Sequence, residues 1–544
     1  MGKRNSGKPR AKREKAISPS VKGHNVPQAK VQKFLDQYRR GADANLEKSA
    51  LQLAKRYPKD KVSWLILGTV LRDLRKLTGA LSAFNSAVML DDQDSEAHLS
   101  AGMLSLELGD AFKAGRSLER AVELDPGSAL AHYSLAVARE QSGDFDLAEE
   151  SYRDAIAQDI RFAQAHNNLG AILERSENFE EAEEHYKQAI LSDHNYAEPH
   201  SNLGMRRLAR GDYSSALRCF VNSSELMRGK RISHPNPIEA FETASRAKIL
   251  HDIEQLEFLV AESVLSKDGW LGAAIEKLRA LLEGVSWPSE TGVVRLAPEH
   301  LIGLDAFYNR LMHREQAREV RPSALNQAMD WKKVCDSYLN HDFGITVVDD
   351  FLSELALETL RSFLLKSTIW FHVKKGGYLG AHINEGLACP LLFQIAEELR
   401  AQLPRVLKDY PLYHVWAYKY DSRAVQDAHN LSGIKTHADF AAVNVNFWVT
   451  IDEANLDPSS GGLIVHHVEA PLDWSFDEFN SDDTMIAEHV QAAQTGKTVI
   501  PYRENRAVIF NSDLFHETDR FEFGEAYHHR RINVTMLFGD RQQN

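Results

Sequence analysis

Three side chains in the C-terminal part of this 544-residue sequence could together bind a metal ion. His437 and Asp439 are separated by one residue, so on a strand both side chains project to the same side. His516 is a third candidate ligand, farther along the chain. Two histidines and one carboxylate form the facial triad that binds Fe(II) in non-haem dioxygen chemistry and leaves coordination positions open for other ligands. The residue types and their order therefore predict an open Fe(II) site.

Less specific explanations exist for the same residues. With 23 histidines in the chain, a His-x-Asp tripeptide can arise by chance, and His516 could be a buried histidine of the core. Zinc accepts the same ligands, so a zinc hydrolase is an alternative. The order of features favours the iron site. His-x-Asp precedes an alternating apolar run at 443–447, and His516 precedes another strand-like run at 530–538.

Residues 341–544 resemble the 2-oxoglutarate- and Fe(II)-dependent dioxygenases, in their prolyl-hydroxylase-like branch. The resemblance rests on His-x-Asp at 437–439, the glycine pair at 461–462, His516 and the arginines that open the last strand-like run. It also rests on residues 344–352, which predict a strand leading into a helix, the usual start of such a domain. The resemblance implies a double-stranded β-helix (jelly-roll) with flanking helices. It further implies a hydroxylase that uses O2 and converts 2-oxoglutarate to succinate and CO2.

The resemblance also implies roles for individual residues. Arg531 would anchor the far carboxylate of 2-oxoglutarate, because a guanidinium pairs with a carboxylate through two parallel hydrogen bonds. Arg530 is a competing candidate; Arg531 is preferred because its strand face continues through Asn533 and Thr535. Asn533 and Tyr420 occupy places where the family often offers polar groups to the co-substrate, although Tyr420 could equally pack in the core. The implied iron ligands are His437, Asp439 and His516.

The first half of the sequence contains a repeat. From residue 61 onward, small residues recur at intervals of about 34 residues, which is the tetratricopeptide pattern. The two most regular series are Gly68, Gly102, Ala136, Gly170, Gly204 and Ala80, Ala114, Ala148, Ala182, Ala216. Each unit is predicted to be a pair of antiparallel helices, and a degenerate unit is predicted before them, from about Pro27 to Pro58. The pattern predicts an all-α solenoid over residues 27–230.

Such a solenoid presents a concave surface on which an extended peptide can bind. Asn168 and Asn202 occupy equivalent positions that are predicted to face this surface. They resemble the asparagines that hold peptide backbones in some tetratricopeptide proteins. Asparagine could equally be a polar choice for an exposed helix position. The expected partner is a protein or a peptide.

The remaining regions complete a multidomain chain. Residues 1–26 are predicted to be a disordered basic tail, because they are rich in Lys and Arg and have too few apolar residues to form a core. Residues 231–340 are predicted to be a helical linker or capping region, with helices at 238–283 and 298–340. Residues 341–544 are the oxygenase-like domain.

Composition limits the location and the partners. The net charge is −13, so nucleic-acid binding is expected at most through the basic tail. No apolar run reaches the about 20 residues that a membrane helix needs, and no secretory signal is expected. The few cysteines have no metal-type spacing, which favours reduced thiols in a cytoplasmic protein. They are Cys219, Cys335 and Cys389.

Five elements of the last domain can be predicted from hydrophobic spacing and turn residues. Helices are expected at 354–365 and at 392–407, the second ending near Pro404. Strands are expected at 414–420 and 463–467. Residues 470–498 are expected to be a long insertion that acts as a lid or faces the substrate.

Two functions from different classes follow from these observations. The first is a 2-oxoglutarate- and Fe(II)-dependent dioxygenase that hydroxylates a protein side chain recruited by the solenoid. The second is an interaction scaffold whose oxygenase-like domain has lost turnover. The first is favoured because all three ligand candidates and an arginine are present.

Overall fold

The computed structural model describes residues 25–39, 41–229, 239–266, 270–288, 292–304, 306–425 and 433–541. The chain divides into two compact units, Met1–Glu177 and Asn178–Asn544. The predicted disordered tail lies outside the described residues, except for its last two positions. None of the helices in the described part of the chain combines the length and apolar composition that a membrane span needs.

The first unit consists of helices that form antiparallel pairs, as the repeat pattern predicts. The described helices are α1 (Gln28–Tyr38), α2 (Ala44–Arg56), α3 (Lys61–Asp73), α4 (Leu77–Leu90), α5 (Ser95–Glu107), α6 (Ala111–Leu124), α7 (Ala129–Gln141), α8 (Phe145–Gln158) and α9 (Ala163–Arg175). Several begin at a side chain that accepts a hydrogen bond from a backbone N–H of the first turn. These capping residues include Asp43, Asp60, Asp94, Asp110 and Ser128.

Small residues let the two helices of a pair approach closely. A Cβ atom added at Gly68 would lie 2.8 Å from the Phe84 ring, and one added at Gly102 would lie 2.5 Å from the Leu118 side chain. Both distances are shorter than a carbon–carbon contact allows. At Gly68 and Gly102, glycine is therefore required by the packing of the helix pair.

The second unit contains the last repeat helices, a middle helical region and a β-rich domain. Its helices are α10 (Phe179–Ser192), α11 (Ala197–Ala209), α12 (Tyr213–Arg228), α13 (Glu239–Glu242), α14 (Arg246–Ala261), α15 (Trp270–Gly284), α16 (Pro298–Leu301), α17 (Trp331–Asn340), α18 (Glu354–Lys366), α19 (Pro390–Gln402), α20 (Pro404–Leu407), α21 (Phe476–Asn480) and α22 (Asp483–Ala493). Its strands are β1 (Thr243–Ser245), β2 (Val293–Arg295), β3 (Ile345–Val348), β4 (His372–Val373), β5 (Tyr378–His382), β6 (Leu412–Tyr420), β7 (Val443–Trp448), β8 (Leu463–Glu469), β9 (Lys497–Ile500), β10 (Ala507–Asn511), β11 (Leu514–Thr518) and β12 (Arg531–Phe538).

Two antiparallel sheets form the β-rich domain. The larger sheet has seven strands in the order β3-β10-β7-β12-β6-β5-β4, and the smaller has three in the order β11-β8-β9. Strands β1 and β2 form a separate pair. An apolar cluster joins Trp448 of the larger sheet to Leu463 and Val465 of the smaller one. The two sheets therefore pack face to face, and we call the face of the larger sheet that lies toward the smaller one its inner face.

The outer face of the larger sheet belongs to the largest apolar core. On β12 the outward side chains are Ile532, Val534, Met536 and Phe538, all buried. They pack in one cluster with apolar residues of α18 and α19. Because side chains of a strand alternate between faces, residues 531, 533, 535 and 537 point inward. The inner face is therefore the place where polar side chains collect.

The last repeat helices share this core. The ring of Tyr213 on α12 stacks on Phe393 of α19, with centroids 5.3 Å apart and planes within 7°. Arg228 at the end of α12 is buried, and its Nη2 lies 2.7 Å from Glu385 Oε2. Ser201 Oγ of α11 accepts a hydrogen bond of 3.0 Å from Asn384 Nδ2. Helices α11 and α12 therefore pack as part of the β-rich unit, although their sequence belongs to the repeats.

Most of the predicted elements of the last domain are present. Strands β6, β7 and β8 contain the runs predicted for them, β12 contains all but the first residue of the run at 530–538, and α18 covers the first predicted helix. The second predicted helix is divided at Leu403 into α19 and α20. The insertion at 470–498 is more ordered than a loop, since it contains α21 and α22 and the start of β9.

The prediction of a helix across 298–340 is wrong for most of that span, where the described residues form only α16 and α17. The physical reason lies in hydrogen bonds to α19. The backbone N–H of Val320 donates to Gln394 Oε1 at 2.8 Å, and that of Leu325 donates to Glu398 Oε2 at 2.9 Å. Side chains of a distant helix thus satisfy the backbone groups that a local helix would have used.

Candidate metal centre

The structure brings His437, Asp439 and His516 together, as the sequence predicts for metal ligands. One ligand atom from each lies within 4.8 Å of the others. His516 Nε2 lies 3.4 Å from Asp439 Oδ2, and His437 Nε2 lies 3.8 Å from Asp439 Oδ1. Asp439 and His516 are buried, and the side chain of His437 is 14% exposed. Three donors thus converge on one point that can still be reached from one side.

The backbone fixes the relative position of the two histidines. His437 and His516 are directly opposed in an antiparallel pair. The N–H of His437 donates to the carbonyl of His516 at 3.0 Å, and the reverse bond is 2.8 Å. Directly opposed residues project to the same face, and the two rings have centroids 4.3 Å apart. The spacing of the two nitrogen ligands is therefore set by strand pairing.

Each histidine ring is oriented by a carbonyl of its own chain segment. His437 Nδ1 donates to the Lys435 carbonyl at 2.8 Å, and His516 Nδ1 donates to the Leu514 carbonyl at 3.0 Å. A carbonyl can only accept, so each ring carries a proton on Nδ1 and directs Nε2 toward Asp439. Burial lowers the pKa of His437 to about 4, which keeps this ring neutral near pH 7.

Asp439 is held in its ionised form. Burial opposes the charge, but hydrogen bonding to His516 and the Asn444 amide outweigh it, so the pKa lies below the usual value. Asn444 Nδ2 on β7 donates to Asp439 Oδ2 at 2.6 Å. Sequence reasoning assigned no role to Asn444. The available signal was a pair of asparagines, Asn444 and Asn446, on one face of a strand whose other residues are apolar.

The segment that carries the ligands is also held on its other edge. Ala438, between the two ligands, donates its N–H to the Phe479 carbonyl at 2.9 Å. Asn480 Nδ2 in turn donates to the Ala438 carbonyl at 3.0 Å. Both polar backbone groups of Ala438 are thus bonded to the end of α21. The insertion, predicted to act as a lid or face the substrate, therefore positions the segment that carries His437 and Asp439.

Replacing Asn480 by alanine is expected to weaken metal binding by at least about 10-fold, the usual cost of removing a group that orients a ligand. The change removes the bond to Ala438 and loosens the segment between His437 and Asp439. Titration with Co(II), followed by its absorption, measures the affinity. Ser481→Ala, at the adjacent exposed position, is the matched control. An affinity equal to that of the control would show that Asn480 does not position the ligands.

Arg531 lies on the inner face of the larger sheet, 2% exposed. Its Nε donates to the Gly461 carbonyl at 2.7 Å and its Nη2 to the Gly462 carbonyl at 3.1 Å. Its guanidinium lies 4.7 Å from the centre of the Tyr420 ring. Among the described residues, no carboxylate lies within ion-pair distance of it, and burial lowers its pKa. A buried cation held in place by neutral groups is suited to an anion that binds from solution.

Polar groups continue along the inner face from Asn444 toward Arg531. Asn446 Nδ2 donates to Thr535 Oγ1 at 3.0 Å, and Asn533 Oδ1 accepts from Arg531 Nη1 at 3.4 Å. Several buried polar atoms on this face have no hydrogen-bond partner among the described residues. They are Tyr420 Oη, Asn444 Oδ1, Asn446 Oδ1 and Trp448 Nε1. Of these atoms, Tyr420 Oη and Trp448 Nε1 can donate, as Arg531 does, so these three groups are the ones that a small dicarboxylate would satisfy.

Arg530 has a different environment. Its Nη2 lies 2.8 Å from Asp421 Oδ2 and 2.7 Å from Glu254 Oε2, and its side chain is 3% exposed. Glu254 belongs to α14, so this ion pair fastens the middle helical region to the β-rich domain. The charge of Arg530 is paired with two carboxylates, whereas in the described part of the chain Arg531 has no carboxylate within ion-pair distance. Of the two neighbouring arginines, Arg531 is the one with the geometry of a ligand anchor.

The two asparagines predicted to hold a peptide are placed differently. Asn168 on α9 is half-buried, and its amide donates to Tyr152 Oη at 3.1 Å and to Tyr133 Oη at 3.4 Å. Asn202 is half-buried on α11, in the second unit. The amide of Asn168 therefore has partners within its own unit, and peptide binding by the two asparagines stays a prediction.

The donor set fits the metal and co-substrate that the sequence implies. Two imidazoles and one carboxylate match the non-haem Fe(II) triad. The unpaired cation on the same inner face matches a dicarboxylate co-substrate. Zinc would accept the same three ligands but would give Arg531 no role.

Comparison with known proteins concerns the repeats. The tetratricopeptide repeat family matches residues 99–161 and 133–197. The solved structure of PilW, a type IV pilus biogenesis factor, is 20% identical, with 36% of this chain and 90% of that chain covered and a TM-score of 0.33. YrrB, a tetratricopeptide protein with an unusual peptide-binding site, is 17% identical, with 34% and 93% covered and a TM-score of 0.29. No curated protein matches the sequence. The family match establishes that this chain contains tetratricopeptide repeats.

Proposed function

We propose that residues 341–544 form a 2-oxoglutarate- and Fe(II)-dependent dioxygenase that hydroxylates a side chain of a protein or peptide. The observation that carries the proposal is the convergence of His437, Asp439 and His516. Both Nε2 atoms face the carboxylate, and their Nδ1 atoms are engaged elsewhere. Such a triad occupies one face of a metal and leaves the other face for co-substrate and O2.

The arrangement of the sheets supports the same function. We infer that the seven-stranded and three-stranded sheets together form a double-stranded β-helix, the jelly-roll implied by the sequence resemblance. In this arrangement the metal ligands come from the segment before β7 and from β11, and the arginine comes from β12. The ligands and the anchor then share the space between the sheets.

Each residue of the site would have its own role in binding iron or 2-oxoglutarate. His437, Asp439 and His516 would hold Fe(II), and Asn444 would keep the Asp439 carboxylate oriented. Arg531, itself held by two glycine carbonyls, would bind the far carboxylate of 2-oxoglutarate, with Tyr420 and Asn533 beside it. The bound iron would supply the oxidation that couples C–H hydroxylation to conversion of 2-oxoglutarate and O2 into succinate and CO2. The packed aromatic residues around Arg531 would exclude water from the co-substrate.

The choice of a protein substrate comes from the repeats. Tetratricopeptide solenoids bind protein or peptide partners on extended surfaces, and here the last repeat helices pack within the same unit as the sheets. A protein segment bound by the repeats would thus be recruited to the chain that carries the metal site. An interaction scaffold without turnover is the alternative function, favoured by the repeats alone.

Succinate formation separates the two functions. The purified protein, loaded anaerobically with Fe(II) and then given 2-oxoglutarate, ascorbate and O2, is expected to form succinate slowly even without substrate. Omission of Fe(II) is expected to abolish the product. Absence of succinate from an iron-loaded, folded protein, with and without cell-derived peptides, would favour the scaffold.

A further inference from the structure

The insertion between β8 and β9 exposes large apolar side chains beside the metal centre. Leu472 is 70% exposed and Phe476 is 48% exposed. Neither side chain takes part in holding the metal ligands or the co-substrate. Exposed apolar groups next to a functional site commonly mark the place where a partner binds.

Aromatic contacts connect this exposed surface to the metal ligands. The Phe476 ring lies 6.0 Å from that of Phe440, the residue that follows Asp439. Phe440 in turn lies 5.5 Å from Tyr413, which is 37% exposed, and 6.1 Å from Trp416 on the inner face. We call Tyr413, Phe440, Leu472 and Phe476, together with Asp473 and Asp477, the insertion face. The insertion face thus borders the segment that carries Asp439.

The exposed side chains are held in place on a fixed backbone. Arg541 Nη2 donates to the carbonyls of Ala470 and Pro471 at 2.6 and 2.8 Å, where the insertion begins. Ser475 and Glu478 form a capping box that starts α21. The other end of α21 is bonded to Ala438. Since the backbone before and after Phe476 is fixed, a partner would lose little conformational freedom in ordering it.

The charged side chains of the insertion are mostly negative. Residues 471–493 contain six carboxylate side chains and neither Lys nor Arg, namely Asp473, Asp477, Glu478, Asp482, Asp483 and Glu488. Asp483 forms an ion pair with Lys435. Asp473 and Asp477 flank Phe476 and are exposed. An acidic surface of this kind attracts cationic ligands and repels nucleic acids and anionic membranes.

We propose that the insertion face binds a basic segment of a protein substrate. One apolar side chain of the segment packs on Phe476 and Phe440, and its Lys or Arg side chains lie near Asp473 and Asp477. The inference rests on the proposed function, because it names the class of polypeptide that is presented to the metal. Charge complementarity selects the basic residues, and the exposed aromatic ring selects the apolar anchor.

Binding of labelled peptides to the full-length protein tests the proposal. The probes are fluorescein-labelled 12-residue peptides, one built from Lys and Leu, one from Glu and Leu and one from Lys and Ser. The protein is loaded with Co(II) and 2-oxoglutarate under nitrogen, and fluorescence anisotropy gives Kd. We expect the Lys/Leu peptide to bind at least about 10-fold more tightly than either of the others, since it has both the charge and the anchor.

Variants locate the binding on the insertion face. Phe476→Ala is expected to weaken binding of the Lys/Leu peptide by about 10-fold, because loss of a central aromatic contact has an effect of this size in other interfaces. Asp473→Lys combined with Asp477→Lys is expected to weaken it at least as much. The control is Glu354→Lys combined with Glu358→Lys, which makes the same change of charge at exposed positions of α18. The control is expected to bind like the wild type.

Three results would overturn the inference. These are equal affinity for the Lys/Leu and Glu/Leu peptides, no effect of Phe476→Ala, and equal weakening by the two charge-reversal variants. Succinate formation by the wild-type protein is measured in the same preparations and tests the proposed function separately. Selective, variant-sensitive peptide binding without succinate would preserve the insertion face as a binding surface while rejecting the dioxygenase. Succinate formation with unselective peptide binding would support the dioxygenase and reject the insertion face as the binding surface.

Discussion

Asp439→Ala protein is expected to form succinate at least about 100-fold more slowly than the wild type, since even the loss of a group that only orients a metal ligand costs 10–100-fold. Removal of the carboxylate leaves two imidazoles, and an open iron site with only two protein ligands holds its metal poorly. His437→Ala and His516→Ala are expected to have effects of the same size. The measurements are succinate formation and the iron content of each purified protein.

The control for these changes is another histidine of the smaller sheet. His467 on β8 stacks on Phe343, with ring centroids 4.4 Å apart, and hydrogen bonds to Thr498 at 2.8 Å. His467→Ala is expected to retain iron and turnover. Circular dichroism and thermal unfolding establish that each variant is folded. Succinate formation at the wild-type rate by the Asp439→Ala protein would remove this residue from the site and contradict the proposed chemistry.

Arg531→Ala is expected to raise the apparent KM for 2-oxoglutarate by at least about 10-fold, which corresponds to about 1.4 kcal/mol for a lost charge-assisted pair. The reason is that Arg531 is buried, is oriented by Gly461 and Gly462, and meets no carboxylate among the described residues. Initial rates of succinate formation against 2-oxoglutarate concentration give the apparent KM. The effect on iron content is expected to be small, because the guanidinium does not contact the three metal ligands.

The neighbouring arginine provides the contrast. Arg530→Ala removes one of the two cations that pair with Asp421 and Glu254, the other being Arg423. Breaking a buried ion pair typically costs about 3 kcal/mol or more in stability, and the remaining Arg423 is expected to reduce that cost. We therefore expect a clearly lower midpoint of thermal unfolding and a nearly unchanged KM for the protein that remains folded. If Arg530→Ala raised KM and Arg531→Ala did not, the anchor would be Arg530.

Local patterns in the sequence predict the repeats, the main strands and the three residues of the metal centre. The alternation at 443–447 predicts β7, and the His-x-Asp spacing predicts two side chains on one face. The close pairing of His437 with His516 could only be expected from the family resemblance, because it depends on strands that are far apart in the chain. For the same reason nothing near Asn480 indicates that its amide binds the Ala438 carbonyl.

The error at 298–340 has a physical origin. Helix periodicity is a local property, but the backbone there is satisfied by Gln394 and Glu398 on α19. A partner distant in sequence decides the outcome.

The shared packing of α11 and α12 with the sheets limits how this protein could be recombined. Tyr213 and Arg228 are buried against α19 and Glu385, so these helices supply part of the wall of the β-rich unit. A recombined gene that replaced the repeats up to the end of α12 would expose the apolar surface that these helices cover. It would also remove Arg228, the cation that pairs with Glu385. An exchange of repeats with an unrelated protein would have to keep α11 and α12. The unit that can be transferred intact between genes is therefore the β-rich domain together with its last repeat.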